Sequence, residues 1–366
     1  MSGARGARPA SRSAAVVVPD ATEAFALRLV RWQKQHGRHD LPWQRTTDPY
    51  RVWLSEIMLQ QTQVTAVIPY YARFLARFPD YVSLADASEE QVMQLWSGLG
   101  YYSRARNLHK AAQEIVRLGA FPRDRVEIQS LPGIGRSTAA AIAAFAFGSC
   151  EAILDGNVKR VLARHFAVAG FPGQKTVEQR LWTIAESVLP AHDIEAYTQG
   201  VMDLGATLCT RRDPQCGRCP LSATCQALAQ GKIADYPEPK PAKAMPQRHT
   251  LMLVLQSEGA VLLEKRPSPG IWGGLWSFPE LAAGADIVLH CQDRLGCRIA
   301  APEPLASLAH GFTHFRLAIE PWHCRVEGQM PVLREQGYVW LPLAQALDAA
   351  IPVPVKKILL RMRDAK

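Results

Sequence analysis

The stretch from Ser130 to Arg164 constrains this chain more than any other. Leu131-Pro132-Gly133-Ile134-Gly135 is followed by an Ala-rich run from Arg136 to Phe147, then Gly148, then Ile153-Leu154-Asp155-Gly156-Asn157-Val158-Lys159-Arg160. Proline fixes φ and the two glycines permit left-handed geometry, so the first five residues form a tight turn. The Ala-rich run reads as a helix closed by Gly148 at its C-cap. A glycine turn opening a helix leaves backbone N–H groups unpaired, and these suit a phosphate. Leu131, Gly133 and Gly135 are therefore candidate contacts to one nucleic-acid backbone. A buried Ala-rich helix behind an ordinary Pro-Gly turn carries the same pattern.

Asp155 stands just past that helix, at the start of another in which Val158, Val161 and Leu162 keep an i, i+3, i+4 apolar face. It reads as an N-cap carboxylate. The position also suits a catalytic anion beside a phosphate-gripping hairpin. A helix N-terminus favours the charged form, so a capping Asp155 is expected to stay ionised.

A second carboxylate, Glu56, lies on an earlier helix. Asp48 and Pro49 supply its cap and first residue, and Tyr50, Trp53 and Ile57 carry it to about Leu59. A glutamate on such a helix commonly faces solvent. Here Trp53, Leu54, Ile57 and Met58 surround it in sequence, and apolar surroundings raise a carboxyl pKa in the way a general acid requires. Further on, Gly98-Leu99-Gly100-Tyr101-Tyr102-Ser103-Arg104-Ala105-Arg106 joins a glycine-rich turn to an aromatic pair and two arginines. Aromatics fill gaps in an unstacked duplex and arginine binds phosphate. A helix start packed over a tyrosine has the same composition.

Cys209, Cys216, Cys219 and Cys225 fall within 17 residues as C-x6-C-x2-C-x5-C. Four thiols on one short loop point to a metal site more than to disulfides in an intracellular chain. Zinc accepts four thiolates too, although the paired C-x2-C knuckles of common zinc ribbons are missing. Cys150, Cys291, Cys297 and Cys324 lack ligand spacing and read as buried or incidental thiols.

The formal net charge of +9 favours an anionic partner, with nucleic acid foremost. No apolar run approaches the roughly 18 residues of a membrane span. Met1 to Pro19 carries Arg5, Arg8 and Arg12 without an acid and reads as a disordered basic tail, a composition shared with transit peptides. Ala14 to Val18 is too short for a secretory core, so a cytoplasmic location is expected. With 366 residues, 48% of them hydrophobic, the chain has room for two packed domains. A helical region spans residues 20–229 and a proline-rich linker 230–248, with Pro237, Pro239, Pro241 and Pro246. From 249 the pattern turns to mixed α+β. Strands are expected at Leu251–Leu255, Val261–Leu263, Leu317–Ile319 and Tyr338–Trp340, with an aromatic-rich loop at Gly270–Glu280. Helices are expected at Ile287–Arg294 and Val355–Arg363.

The hairpin and the Asp155 motif together resemble the helix-hairpin-helix DNA glycosylases, and Ser137 after the hairpin resembles their adenine-excising branch. The resemblance runs from about Phe25 to the C-terminus. It implies a mainly α glycosylase domain with a [4Fe–4S] cluster on Cys209, Cys216, Cys219 and Cys225, followed by a Nudix-like α+β domain. Trp53 to Thr62 matches the family's catalytic helix. Glu56 is thereby implied to protonate adenine N7, and Asp155 to stabilise the oxocarbenium-like sugar. Ser137 and Asn157 are implied to order polar groups and water around Asp155. Trp43, Leu59 and Gln199 are implied to line the base pocket, Gln61 and Tyr101 to act as wedges, and Arg104 to contact DNA. Phe312, Thr313 and His314 match a loop that reads 8-oxoguanine, with Thr313 where the family has serine. The implied substrate is double-stranded DNA with adenine opposite 8-oxoguanine or guanine, met by a monomeric, nucleoid-associated enzyme.

Three other readings are weaker. An endonuclease III-like lyase carries a lysine in place of Ser137, and a hydroxyl forms no imine. A Nudix hydrolase needs glutamates that His290–Cys297 lacks, so the C-terminal domain reads as a binding module. A purely DNA-binding iron–sulfur protein has no use for both Glu56 and Asp155.

Overall fold

A computed structural model of the protein describes residues 19–241, 244–327 and 337–364; the basic tail lies outside them. The helices are α1 (Pro19–His36), α2 (Pro49–Leu59), α3 (Val64–Arg77), α4 (Tyr81–Ala85), α5 (Glu89–Trp96), α6 (Ser103–Leu118), α7 (Arg125–Ser130), α8 (Arg136–Phe147), α9 (Gly156–His165), α10 (Lys175–Ser187), α11 (Ile194–Thr207) and α12 (Gln226–Ala229). The strands are β1 (Gln247–Ser257), β2 (Ala260–Lys265), β3 (Trp276–Ser277), β4 (Glu280–Leu281), β5 (Arg298–Ile299), β6 (Glu303–Pro304), β7 (Leu308–Gly311), β8 (Arg316–Glu327) and β9 (Tyr338–Pro342). Among them fall α13 (Ile287–Leu295), α14 (Leu343–Asp348) and α15 (Val353–Asp364). The chain gathers into two compact units, Met1–Asp40 with Ala139–Lys240 and Leu41–Thr138 with Pro241–Lys366. No helix among the described residues is long and apolar enough to cross a membrane.

In the first unit, α1, α9, α10, α11 and most of α8 close on one core that includes Phe25, Leu29, Ala140, Leu162, Leu181 and Leu204. Alanines keep the α8 face flat, so neighbouring helices approach closely. As expected, Gly148 ends α8 in left-handed geometry (φ +66°). Its N–H reaches the Ala144 carbonyl at 3.0 Å, and that of Ser149 reaches Ala143 at 3.1 Å. On α11, a Cβ at Gly205 would lie 2.6 Å from Asn157 Cβ, so only glycine lets α11 pass the start of α9.

In the second unit, Asp48 caps α2 by accepting from the Tyr50 N–H at 2.9 Å, with Pro49 at the first helical position. Trp53 is fully buried and packs edge to face on Tyr50 (6.1 Å) and Phe121 (5.8 Å). The strands of the same unit form a mixed sheet, in which β1 runs parallel to β8 over ten residue pairs and antiparallel to β2. A central parallel pairing buries a strand on both faces, and Leu251 to Leu255 are all buried. The expected strands fall inside β1, β2, β8 and β9, although β8 runs on to Glu327, well past Ile319. β1, however, starts at Gln247, inside the stretch expected to be linker, because its first residues gain a ladder with Arg316 to Ala318.

Candidate active site and reading surfaces

From Val52 to Met58, Glu56 is the one residue that is not buried. A core-forming helix thus brings a single carboxyl to the surface, half-covered by its apolar neighbours. Leu59 and Gln60 follow half-buried, and Gln61 is exposed with φ +56°. Tyr101, 47% exposed, shares that left-handed geometry at φ +50°. Both residues expected to act as wedges are therefore non-glycine residues in a sparsely populated region, which surrounding structure must enforce.

Arg104 enforces it. It is only 8% exposed. One terminal nitrogen donates to the carbonyls of Ile57 (2.8 Å), Met58 (2.8 Å) and Gln60 (2.6 Å); the other donates to Gly100 O (3.1 Å) and Thr62 Oγ1 (3.0 Å). The guanidinium thus closes the C-terminus of α2, where unpaired carbonyls and the helix dipole favour a cation. Burial without a carboxylate partner lowers its pKa to about 10. Both terminal nitrogens of Arg104 are thus bonded to acceptors of the protein itself.

The hairpin between α7 and α8 borders the same region. A cavity of about 240 Å³ is lined by Gln61, Tyr101, Arg104, Asn107, Pro132 and Gly133, among others. Gly133 takes φ +79°, and a Cβ there would sit 2.6 Å from Asn107 Cβ. Gly135 has open space and no left-handed φ, so one glycine rather than two makes the turn. Leu131 is 2% exposed, and its side chain anchors the hairpin in the core. Ser137, half-buried, opens the first turn of α8. Trp43 is buried, edge to face with Tyr71 at 5.4 Å.

In the other unit, Asp155 caps α9 and accepts from the Val158 N–H at 2.8 Å. Burial raises its pKa, while bonds from the Val158 and Asn157 N–H groups and the charges of Arg160 and Lys159 pull it down. Burial outweighs the cap, and the net direction is upward. Asn157 meets Asp155 through its backbone. Its side-chain oxygen instead accepts from Arg160 at 2.8 Å, and Arg160 also donates to Cys209 O (2.7 Å) and Gly205 O (2.6 Å).

Gln199 on α11 donates its amide N–H to Asp203 Oδ1 at 2.8 Å. Asp203 is 0% exposed and also takes Arg38 through Nε (2.7 Å), Nη2 (2.7 Å) and the backbone N–H (2.9 Å). This buried ion pair escaped the sequence reading. Its signal was an aspartate four residues after Gln199 amid Tyr197, Val201 and Leu204 on an otherwise apolar helix. Because one Gln199 donor is committed, its carbonyl oxygen remains the group suited to accept from a ligand.

Cys209, Cys216, Cys219 and Cys225 line one small cavity with Arg164, and none is in a disulfide. Arg164 donates to Thr210 O at 2.7 Å and lies 3.5 Å from Cys209 Sγ. Burial pushes the Cys219 thiol up to about 11. Four thiols around one cavity beside a guanidinium fit a four-thiolate group in kind. Among the described residues, no three His, Cys, Asp or Glu side chains stand close enough to hold a metal ion as placed.

The hairpin joining β7 to β8 carries Phe312 to Phe315. The Phe312 N–H bonds to Phe315 O at 2.9 Å, and the two rings stack at 4.5 Å. Thr313 and His314 stand exposed at the tip. Phe312 also packs on His310 (4.7 Å) and Trp272 (5.7 Å).

Residues 54–187 match the family model described as HhH-GPD superfamily base excision DNA repair protein, and residues 250–361 match that of the NUDIX domain. The adenine DNA glycosylase of Buchnera aphidicola subsp. Acyrthosiphon pisum is 38% identical over 338 residues, which is 92% of this chain and 96% of that protein. That of Homo sapiens is 35% identical over 406 residues, covering 93% and 74%. Among solved structures, a thermostable thymine-DNA glycosylase aligns with a TM-score of 0.52 at 27% identity, over 58% of this chain and 98% of that one. An endonuclease III–DNA complex aligns at 0.50 and 20% identity, over 59% and 99%, a likeness of fold.

Proposed function

We propose, from the premise that this chain belongs to the adenine DNA glycosylase family, that it removes adenine paired with 8-oxoguanine or guanine and leaves the strand unbroken. That it is a base-excision glycosylase, hydrolysing an N-glycosidic bond, follows from the family itself. The finer reading rests on this chain's residues.

Extruding a base costs a few kcal/mol, less from a mispair. Gln61 and Tyr101, held in their strained backbone, are the residues to occupy the space it leaves. The Gln199 carbonyl accepts from the exocyclic amine of adenine; its committed amide is the observation that carries the choice of base. Glu56 then protonates N7, and Asp155 stabilises the cationic sugar until water adds. General acid catalysis contributes roughly 10²- to 10⁴-fold, with electrostatic stabilisation of comparable or greater weight. Ser137 supplies no amine, so no imine forms and the abasic strand stays intact. Thr313, with a hydroxyl at an exposed tip, meets the O8 and N7–H that distinguish 8-oxoguanine from guanine.

The four cysteines would hold an iron–sulfur cluster, which when bound braces their loop. Arg160 and Arg164 tie that loop to α9, the helix that Asp155 caps.

The test is cleavage of duplexes bearing A opposite 8-oxoguanine, G, C or T, with and without alkali. Release should be fastest opposite 8-oxoguanine, then G, with breaks only after alkali. Efficient borohydride trapping of an enzyme–DNA adduct, or equal rates on all four duplexes, would contradict the reading.

A further inference from the structure

The aromatic-rich loop leading into β3 reads Ile271-Trp272-Gly273-Gly274-Leu275-Trp276. It closes on itself: Arg266 N–H bonds to Leu275 O at 2.8 Å, and Gly274 N–H to Arg266 O at 2.9 Å. Trp272 is 6% exposed at φ +53°, a genuine outlier for a bulky residue. Its ring lies 5.7 Å from both His310 and Phe312, at the base of the β7–β8 hairpin.

The next residue meets a different element. Arg106, on the first turn of α6 and five residues after Tyr101, donates to the Gly273 carbonyl. Both glycines leave little room for a side chain, Gly273 within the loop itself and Gly274 against α5. A Cβ at Gly273 would lie 3.0 Å from Pro267 O, and one at Gly274, where φ is +78°, would lie 3.2 Å from Glu89 Oε1. Around this point the Trp276 indole donates to Glu90 at 2.7 Å and Ser97 Oγ donates to Ile351 O at 2.8 Å. Unlike those contacts, the Arg106 bond sits one residue from the ring that packs the hairpin.

We propose that Arg106, acting through Gly273 and Trp272, is a positioning residue for specificity: it fixes the Phe312–His314 hairpin relative to the turn that carries Tyr101. A strained tryptophan is retained because its ring and its following carbonyl are fixed at two separate elements. The inference rests on the reading of that hairpin as the sensor of 8-oxoguanine. A reader placed even slightly out of register loses a contact made only with the oxidised base, while adenine release opposite guanine never depended on it.

The test compares single-turnover adenine release from 8-oxoguanine:A and G:A duplexes by the full chain and by Arg106→Ala, Arg106→Lys, Glu90→Gln, Phe312→Ala and the Arg106→Ala/Phe312→Ala pair. Arg106→Ala should lower the preference for 8-oxoguanine by about tenfold, the equivalent of roughly 1.4 kcal/mol, with the G:A rate unchanged. Arg106→Lys, which keeps the charge but not the forked reach, should lower it less. Glu90→Gln removes the charge that faces Lys265 at 3.6 Å, a docking contact away from Trp272, and should leave the preference intact. The pair should lose no more than Phe312→Ala alone, the non-additivity of residues acting as one unit. A lowered preference in Phe312→Ala with none in either Arg106 variant overturns the strut and keeps the reader. Unchanged preference in both overturns the reader and the strut with it. Equal losses on both duplexes, or the same loss in Glu90→Gln, show that Arg106 only docks the domain.

Discussion

Gln61 and Tyr101 lie forty residues apart in sequence, yet one guanidinium holds both: Arg104 bonds to the carbonyls of Gln60 and Gly100, the residues immediately before them. Each follows its clamped carbonyl with a positive φ. The left-handed geometry at both positions is thus held by a buried arginine rather than by either residue itself.

Replacing Arg104 with Lys should therefore disarm both. An ammonium cannot span five acceptors, and each buried carbonyl left unpaired costs about 1–3 kcal/mol, less than additively. A stability loss of roughly 2–4 kcal/mol by denaturant titration is expected. In what remains folded, base extrusion followed by 2-aminopurine fluorescence should fall more than mispair binding does. Extrusion equal to that of the parent would separate the wedges from the clamp.

Asp203→Asn tests how the base is chosen. The change leaves the Arg38 charge without its buried partner, a loss of roughly 3–5 kcal/mol. It also allows Gln199 to turn, because an amide can donate where the carboxylate only accepted. Discrimination between adenine and purine lacking the exocyclic amine should shrink. Asp203→Glu, which keeps the charge, should recover part of it. Discrimination untouched in both variants would remove Gln199 from the base pocket.

The pH dependence follows from Asp155. Burial holds its pKa above the ordinary 3.8, so on acidification it gains a proton before an exposed aspartate would. The ionised form is the one that stabilises the cation, and the single-turnover rate should fall with falling pH along a limb lying above 3.8. For stability the sign reverses. The folded state holds this proton more tightly than the unfolded chain, so the contribution of Asp155 is lost as pH rises through the raised value. A rate profile flat down to that ordinary value would contradict the assignment.

Much of this site was legible because its chemistry is local. Asp155 as a cap, Gly148 as a stop and Asp48-Pro49 as a start each follow from residues adjacent in sequence. Arg104 was not legible in this way. Its composition suited phosphate, and only tertiary structure shows that α2 ends with carbonyls in need of a donor. Asp203 likewise looked like one more helix residue until Arg38, some 165 positions away, proved to be its partner. Gly133 and Gly135 look equivalent on paper, and the proximity of Asn107 to one of them is what separates their roles. In the C-terminal domain, continuous apolar runs marked β1 and β2, while two-residue strands such as β3 and β5 carry no periodicity to find.

The central claim is that Glu56 and Asp155 carry the release of adenine. It is met most directly by single-turnover base release from an 8-oxoguanine:A duplex by Glu56→Gln and Asp155→Asn, with mispair affinity measured alongside. Each substitution keeps the shape and removes one protonation state. Each should slow release by at least about 100-fold while affinity for the mispair stays close to that of the parent. Release at the parent rate by either variant would contradict the account.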